Sequence, residues 1–591
     1  MKLFDILLPR EGICSETSLF YKTISGEAVQ EDDGLCFEEG AAVSFESFFN
    51  CFSANKYHKY TDTRHIDIEL DFTGSFEIVV EAVTYGRRKV IASDTLSEGK
   101  TSISVDIEEC FTPGYISFCL TALKKGKLLG GRYTRKEPPA KNIRIGIVIC
   151  TFRREGYVKA NLKRICEYAD KEPILKDLHV FVIDNGNTLD SSIENERVTL
   201  IYNPNIGGSG GFSRGMLEVY ERRGEGFTHM HLMDDDVVFF PETLAKTAAF
   251  LSVVKPENND ACMGAGMMRI DKPYHQHEFG AYWSGLRTYS YNGRYDLRRI
   301  NSLLDNERIY DPEYSGWWYM TMPVHFVEKF GLSLPFFIKY DDVEYCIRAC
   351  KNIVLLNGVG VWHEAFDIKS TSDLEYYHRR NELILASIYS PKQNAFSYFR
   401  KLIFETAKLL VCMKYNDLKL CYKGYGDFLK GADYFNSIDL EPLHKELRAH
   451  NDKLYTKKEL LEMTGLEDIQ FTDISKSPPY TLMKLTLNGY LIPRRLYRFC
   501  GYNKSGLRIA DATKPKIRAF FCAEKVLIYN SITETGYFVT LNKKMLFKYG
   551  FKLAFTLIKL VFRYPAAAKT YRRNFNKLTS IENWKGKMKL S

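Results

Sequence analysis

The sequence predicts an α/β protein, with a parallel, doubly wound sheet preceded by an all-β module and followed by a mainly helical region. Three observations carry this reading. Between residues 143 and 385, apolar strands alternate with helical stretches, the rhythm of βαβ units whose ligands gather at the carboxyl ends of the strands. Before residue 142, short alternating runs are separated by turn signals, as in a β-sandwich or barrel. After residue 386, apolar residues recur three and four apart. The expected domains are 1–142, 143–385 and 386–591, in keeping with about three or four domains for 591 residues.

In the first module, Ile66-Asp67-Ile68-Glu69-Leu70 and Ser102-Ile103-Ser104-Val105-Asp106-Ile107 alternate apolar and polar residues, and Phe76-Glu77-Ile78-Val79-Val80 is a further strand. In the second, Arg144 to Cys150 is a buried strand, Leu178 to Ile183 another, and Val198 to Tyr202 a third. A helix follows from Gly211 to Arg223, then the strand His229 to Met233. In the third, Phe399, Leu402, Ile403, Thr406, Leu409 and Leu410 share a helical face, and Thr456-Lys457-Lys458-Glu459 is a capping box.

The composition is that of a globular protein, with 45% hydrophobic and 26% charged residues. Fourteen cysteines without paired spacing, and an acid at Asp5 where a signal peptide needs an apolar segment, point to a reducing cytoplasmic setting. No stretch is long and apolar enough to span a bilayer. The net charge of +9 is unevenly spread: residues 541–591 carry 13 Lys and Arg against Glu582 alone. That tail accounts for +12, leaving −3 (+9 less +12) for the rest.

Chemistry-bearing residues cluster just after the strands. Asp234-Asp235-Asp236 sits in an apolar setting that makes ionised acids costly unless something neutralises them. Alternate carboxylates there can hold a divalent cation and, through it, a diphosphate, or they form a solvated turn. Thr151-Phe152-Arg153-Arg154 follows the first strand and Asp184 ends the second; both fit a nucleotide site, or ordinary strand-end polarity. Asn203 to Gly211 is a glycine-rich loop opening a helix, suited to anions or simply to a turn. Asp341 and Asp342 open another helix, where acids are favoured electrostatically and where one can act as a general base. Glu344 and Arg348 have the spacing of a surface ion pair. His363 ends a strand, as a metal ligand or a structural histidine. Trp317 and Trp318 suit a sugar platform or a core, and Glu278 can accept from sugar hydroxyls.

In this order the motifs resemble family 2 inverting glycosyltransferases of the GT-A fold, a Rossmann-like domain, and most of all the galactofuranosyltransferases that polymerise cell-wall galactan. The wider pattern is carried by Thr151 to Arg154, Asp184, Asn205 with its glycines, the aspartate triplet and Asp341-Asp342. The narrower one is carried by Asp234-Asp235-Asp236, Glu278, Trp317-Trp318, Asp341 to Glu344, Trp362-His363 and the aromatic segment Phe48-Phe49-Asn50-Cys51-Phe52. The resemblance implies that Asp234, Asp236 and His363 bind Mn²⁺ or Mg²⁺, and that Asp342, or less readily Asp341, is the catalytic base. It implies donor contacts from Thr151, Arg154, Asp184, Asn205, Asp234 and Asp235. Glu278, Trp317, Trp318 and His378 would line the sugar and acceptor sites. The implied donor is UDP-galactofuranose and the implied acceptor a glycan, lipid-linked or free. A rhamnosyltransferase and a non-catalytic glycan-binding protein are the alternatives.

The basic tail adds a partner. Phe547, Phe551, Phe555, Ile558 and Phe562 interleave with Lys548, Lys552, Lys559 and Arg563, which suits an anionic membrane surface or a basic face on a core helix. No nucleic-acid motif accompanies the charge. The expected location is the cytoplasmic face of a membrane, peripherally bound, with homo-oligomerisation left open.

Overall fold

The computed structural model describes every residue except 98–100, 111, 365–370, 476–478, 501–506 and 591. It divides into two compact units. The first comprises Met1–Pro335, Asp341–Glu364 and Thr579–Ser591; the second comprises Phe336–Tyr340 and Ala365–Leu578.

The N-terminal module of the first unit is one connected nine-stranded sheet. Its backbone is a pair of long antiparallel strands, His65–Thr84 and Gly114–Thr134, bonded from Asp67↔Thr134 to Thr84↔Gly114. Ile66, Ile68 and Leu70 face the core while Asp67 and Glu69 do not, the side-chain alternation of a half-buried strand. Register shifts near Thr73 bend the pair. The bend needs Gly126, where a Cβ would lie 2.5 Å from the Thr73 carbonyl oxygen.

The α/β part is a seven-stranded sheet in the order Val198–Tyr202, His179–Asp184, Ile145–Thr151, His229–Asp234, Met320–Pro323, Cys262–Gly264, Ile353–Val354. Its first four strands are parallel, and Met320–Pro323 runs against them. The sheet is therefore mixed rather than purely parallel. The register sets Thr151 opposite Asp184, and Cys150 opposite Asp234. Three polar strand ends thus share one rim. A five-stranded sheet brings a fourth: Gly360–His363 pairs with Val238–Phe239 and Gly266–Arg269.

The expected glycine-rich loop is largely helix, since the helix runs Gly207–Glu221. Close packing on the sheet explains the glycines. A Cβ at Gly211 would lie 2.1 Å from Cys150 Sγ, and one at Gly215 2.1 Å from Val148 Cγ1. The aromatic segment of the N-terminal module docks on the same sheet system. The Phe49 ring lies 4.9 Å from Phe20, 5.4 Å from Phe240 and 5.6 Å from Trp362. Asn50 ties the segment down by exchanging hydrogen bonds with the Leu7 backbone at 2.7 and 2.8 Å. The last helix, Ile581–Met588, belongs to this unit and not to the C-terminal region. Its fully buried Trp584 donates through Nε1 to the Ser333 carbonyl at 2.7 Å.

The second unit is mainly helical, with the capping box present at Thr456 and Glu459. It also holds a four-stranded sheet of Tyr455–Thr456, Thr535–Thr540, Lys525–Asn530 and Leu507–Asp511, in that order. The helix Lys544–Thr579 turns Phe547, Phe551, Phe555, Ile558 and Phe562 outward, each 55% to 78% exposed. Its later turns are core, with Leu560 and Tyr571 fully buried. In the loop Phe336–Tyr340, Phe337, Lys339 and Tyr340 have φ of 77°, 70° and 70°, a left-handed conformation that persists only when the surroundings enforce it. Asn381 Nδ2 donates to the Ile338 and Lys339 carbonyls, both at 3.0 Å, and Arg380 Nη2 to the Phe336 carbonyl at 2.7 Å.

Candidate active site

The aspartate triplet straddles the end of its strand. Asp234 is the last strand residue, and Asp235 and Asp236 form the turn. Successive side chains therefore point to opposite sides. Asp234 and Asp236 meet His363: Nε2 lies 3.1 Å from Asp236 Oδ1 and 3.7 Å from Asp234 Oδ2. One donor atom from each residue falls within 4.8 Å of the others. His363 Nδ1 donates to the Glu364 carbonyl at 2.6 Å, so Nε2 is the ring nitrogen that faces the two carboxylates and would bind a metal. Burial, helped by Asp236, Asp235 and Asp342, pushes Asp234 up to about 6, with His363 opposing. Two carboxylates and an imidazole, crowded and partly desolvated, fit a divalent cation.

Asp235 points the other way. Its Oδ2 accepts from Thr151 Oγ1 at 2.7 Å and its Oδ1 from Arg154 Nη1 at 2.9 Å. Arg154 also reaches Asp236 Oδ2 at 2.6 Å. Thr151 and Arg154, expected to touch a donor, are instead engaged with the triplet. Asn161, which the sequence reading passed over, completes the support. Its Nδ2 donates to the carbonyls of Asp235 at 2.9 Å and Val237 at 3.1 Å, pinning the backbone on both sides of Asp236. Its signal was present, because Asn161 interrupts the buried stripe Val158, Leu162, Ile165 and Ala169 of its helix.

Asp184 departs from the expectation. It is fully buried, and it accepts from the amides of Gly186, Thr188 and Leu189 at 2.7 to 2.8 Å. It shapes the loop after its strand rather than facing a ligand. Asn205 accepts weakly from the Gly207 amide at 3.4 Å and stays partly exposed at the helix start.

Asp341 and Asp342 open the helix Asp341–Ala349. Asp341 is buried and pushed up to about 8, by burial first and then by Asp342, with helix amides and Asp234 also acting on it. Asp342 is more open, and its Oδ1 accepts from the Val343 amide at 2.8 Å. The expected surface pair of Glu344 and Arg348 is instead buried and bidentate, at 2.9 and 3.0 Å. Arg348 also holds the Leu332 carbonyl at 2.9 Å, fixing this helix to the preceding loop.

Glu278 ends the strand Lys272–Glu278. Burial, with Asp342 adding to it, pushes its carboxyl up to about 8. Its Oε1 is buried without a hydrogen-bond partner among the described residues, so burial favours its protonated form and leaves hydrogen-bonding capacity unused. Trp317 and Trp318 are mostly buried. Trp317 packs edge-on between Phe212 at 5.3 Å and Tyr345 at 5.9 Å. The pair is thus part of the wall and not an open platform, although the buried Trp317 Nε1 has no partner among the described residues. Tyr314 was missed by the sequence reading. Its buried phenol is pushed up by burial and then by Glu278. His378, in the second unit, stacks on Tyr340 at 5.2 Å. Burial and then three nearby cations, Arg379, Lys401 and Lys339, lower its pKa.

The sheet and site define a nucleotide-sugar transferase of the GT-A type, and sequence comparison agrees. Residues 142–382 match "Glycosyltransferase like family 2", and residues 3–135 match "Galactofuranosyltransferase 2 N-terminal". Residues 142–382 thus form a family 2 glycosyltransferase domain. Galactofuranosyltransferase GlfT2 of Mycobacterium tuberculosis is 26% identical over 494 residues, 76% of this chain and 76% of that protein. GlfT2 of Mycolicibacterium smegmatis is 26% identical over 478 residues, 74% of this chain and 72% of that protein. Among solved structures, a mannosyltransferase from Pyrobaculum calidifontis in complex with GDP-Man and Mn²⁺ overlaps with a TM-score of 0.29 at 12% identity, over 44% of this chain and 69% of that one.

Proposed function

We propose that this glycosyltransferase is an inverting, divalent-metal-dependent galactofuranosyltransferase that uses UDP-galactofuranose and extends a glycan, which is lipid-linked in the cell. The observation that carries the reading is the Asp234, Asp236 and His363 donor set, with the Asp341-Asp342 pair close enough to act on it electrostatically. Those three residues would hold Mn²⁺ or Mg²⁺, which would supply Lewis-acid stabilisation to a departing diphosphate. Asp342 takes the proton of the acceptor hydroxyl as its oxygen attacks the anomeric carbon. Attack opposite the leaving diphosphate inverts that centre. Glu278, protonated, donates to a sugar hydroxyl, and Asp235 stays fixed by Thr151 and Arg154 at the donor side.

The test is UDP release with Mn²⁺ across a panel of nucleotide sugars and an alkyl galactofuranoside acceptor. Release with UDP-galactofuranose, abolished by chelator and lowered by roughly 10²–10⁴-fold in Asp342→Asn with donor binding retained, is the expected result. Release only with another donor, a rhamnosyl nucleotide for example, would keep the site roles and replace the sugar.

The exposed stripe of the helix Lys544–Thr579, flanked by exposed Lys548, Lys559 and Arg563, supports peripheral binding to an anionic, cytoplasmic leaflet. Each such cation adds roughly 1 kcal/mol at that surface. No helix among the described residues is long and apolar enough to cross a membrane. Phe551→Asp with Phe555→Asp should release the full chain from anionic vesicles in a sedimentation assay. These substitutions spare the fold, whereas removing residues 541–591 would strip out the buried Leu560, Tyr571 and Trp584. Unchanged sedimentation would remove the stripe from the membrane role.

A further inference from the structure

The ribbon Ala281–Trp283 with Thr288–Ser290 has two unlike faces. Ala281 and Trp283 turn inward, and the Trp283 amide is held by Glu313 Oε2 at 2.6 Å. On the other face Tyr282 pairs directly with Tyr289, their rings stacked at 5.6 Å. The row continues from Tyr282 to Tyr291 at 5.1 Å and from Tyr291 to Tyr310 at 4.7 Å. Tyr289 is 46% exposed, and the other three are half-buried.

One end of the row joins the transfer site. Ala281, three residues after Glu278, bridges the Tyr314 backbone at 3.0 and 3.1 Å, and Thr288 pairs with Trp283 in the same ribbon. At the other end Tyr310 and Tyr295 lie against Asp305 and Arg308. Tyr295 and Asp305 line a cavity of about 750 Å³, together with Arg294, Asp296, Arg299 and Asn301. The N-terminal module braces this end, since the Tyr85 hydroxyl donates to Asp305 and Arg308 sits 5.1 Å over the Tyr85 ring.

A cross-strand aromatic pair stabilises a hairpin. It does not account for four rings, drawn from the ribbon and two other segments, aligned at a surface. Every member is tyrosine, a rigid ring with a polar tip that offers contact area at low entropy cost. Exposed carboxylates at Asp311 and Glu313 flank Tyr291. Rings that contact C–H faces, beside carboxylates, amide and guanidinium groups that bond hydroxyl rims, match the two-sided chemistry of a sugar chain.

We propose that the tyrosine row and its polar cavity form a second carbohydrate subsite, which holds distal sugars of the acceptor glycan outside the transfer site. The proposal deepens the galactan reading and rests on it for the identity of the sugar. The test titrates the full chain, without donor, with galactofuranosyl disaccharide and hexasaccharide by calorimetry. The expected result is tighter hexasaccharide binding by the wild type. That binding should weaken about tenfold in Tyr289→Ala and fall in Arg299→Ala, whose side chain is 79% exposed, with disaccharide binding and turnover unchanged. Both substitutions are at the surface and spare the fold. Equal binding of the two lengths by the wild type, or hexasaccharide binding unaltered in both variants, overturns the proposal. Failure of the galactofuranosyl reading would be read separately, from absence of transfer to the disaccharide; the length dependence of binding still decides the subsite.

Discussion

Asp184 and Asp234 end strands of the same sheet, one strand apart, and are treated in opposite ways. Asp184 has its charge met by three backbone amides of its own loop. Asp234 is pushed upward by burial first, with His363 opposing and Asp236, Asp235 and Asp342 adding to the rise. A buried acid whose partners are all internal builds the fold. A partly exposed acid crowded by other carboxylates suits a cation. Sequence position alone does not separate the two, since both follow apolar strands.

The largest expected effect comes from removing the cation's ligands. His363→Ala should weaken Mn²⁺ binding, read by calorimetry, by more than the roughly 10- to 100-fold typical of supporting residues. Asn161→Leu should fall within that smaller range, because it frees the backbone flanking Asp236 without touching a ligand. If Asn161→Leu leaves Mn²⁺ binding unchanged, the carbonyl pins are incidental to the site.

Stability should sharpen the contrast next. Asp184→Asn sets an amide donor against backbone donors and should cost about 1–3 kcal/mol, seen as a lower Tm. In chelator-treated protein, Asp234→Asn should raise Tm modestly. Its folded-state value of about 6 lies above the ordinary 3.8, so its favourable contribution is full below about pH 4 and is lost as pH rises through 6. The side chain is 35% exposed, so water screens part of the gain. The wild type should lose Tm between those pH values and recover it with Mn²⁺. A lowered Tm in Asp234→Asn would dissolve the distinction between the two acids.

The smallest effect concerns Glu278. With a value near 8, it is a hydrogen-bond donor below that pH and an anion above it. The kcat/KM of the wild type should decline above pH 8, and Glu278→Gln should flatten that limb while retaining activity. A decline of equal size in the variant would assign the limb to another group.

Much of this was legible in the chain. Hydrophobic rhythm located the strands, and the strand ends carried the acids, because a parallel sheet delivers its polar loops to one rim. Glu344 with Arg348 and the glycines of Gly207–Glu221 were misread for a common reason. Spacing reports which side chains share a helix face, and says nothing of what the face meets. Arg348 meets the carbonyl of Leu332, and Gly211 meets Cys150.

The sequence by itself determined the element rhythm, the order of the acidic motifs and the amphipathic stripe of the basic helix, because these are local and periodic. Tertiary structure alone decided that Asn161 pins the triplet from a helix, and that Tyr282, Tyr289, Tyr291 and Tyr310 form one row. It also decided that Trp584 returns to the first unit. Each of these contacts joins residues from separate elements. Their meeting is fixed by the packing of sheets and helices against one another, which no local pattern encodes.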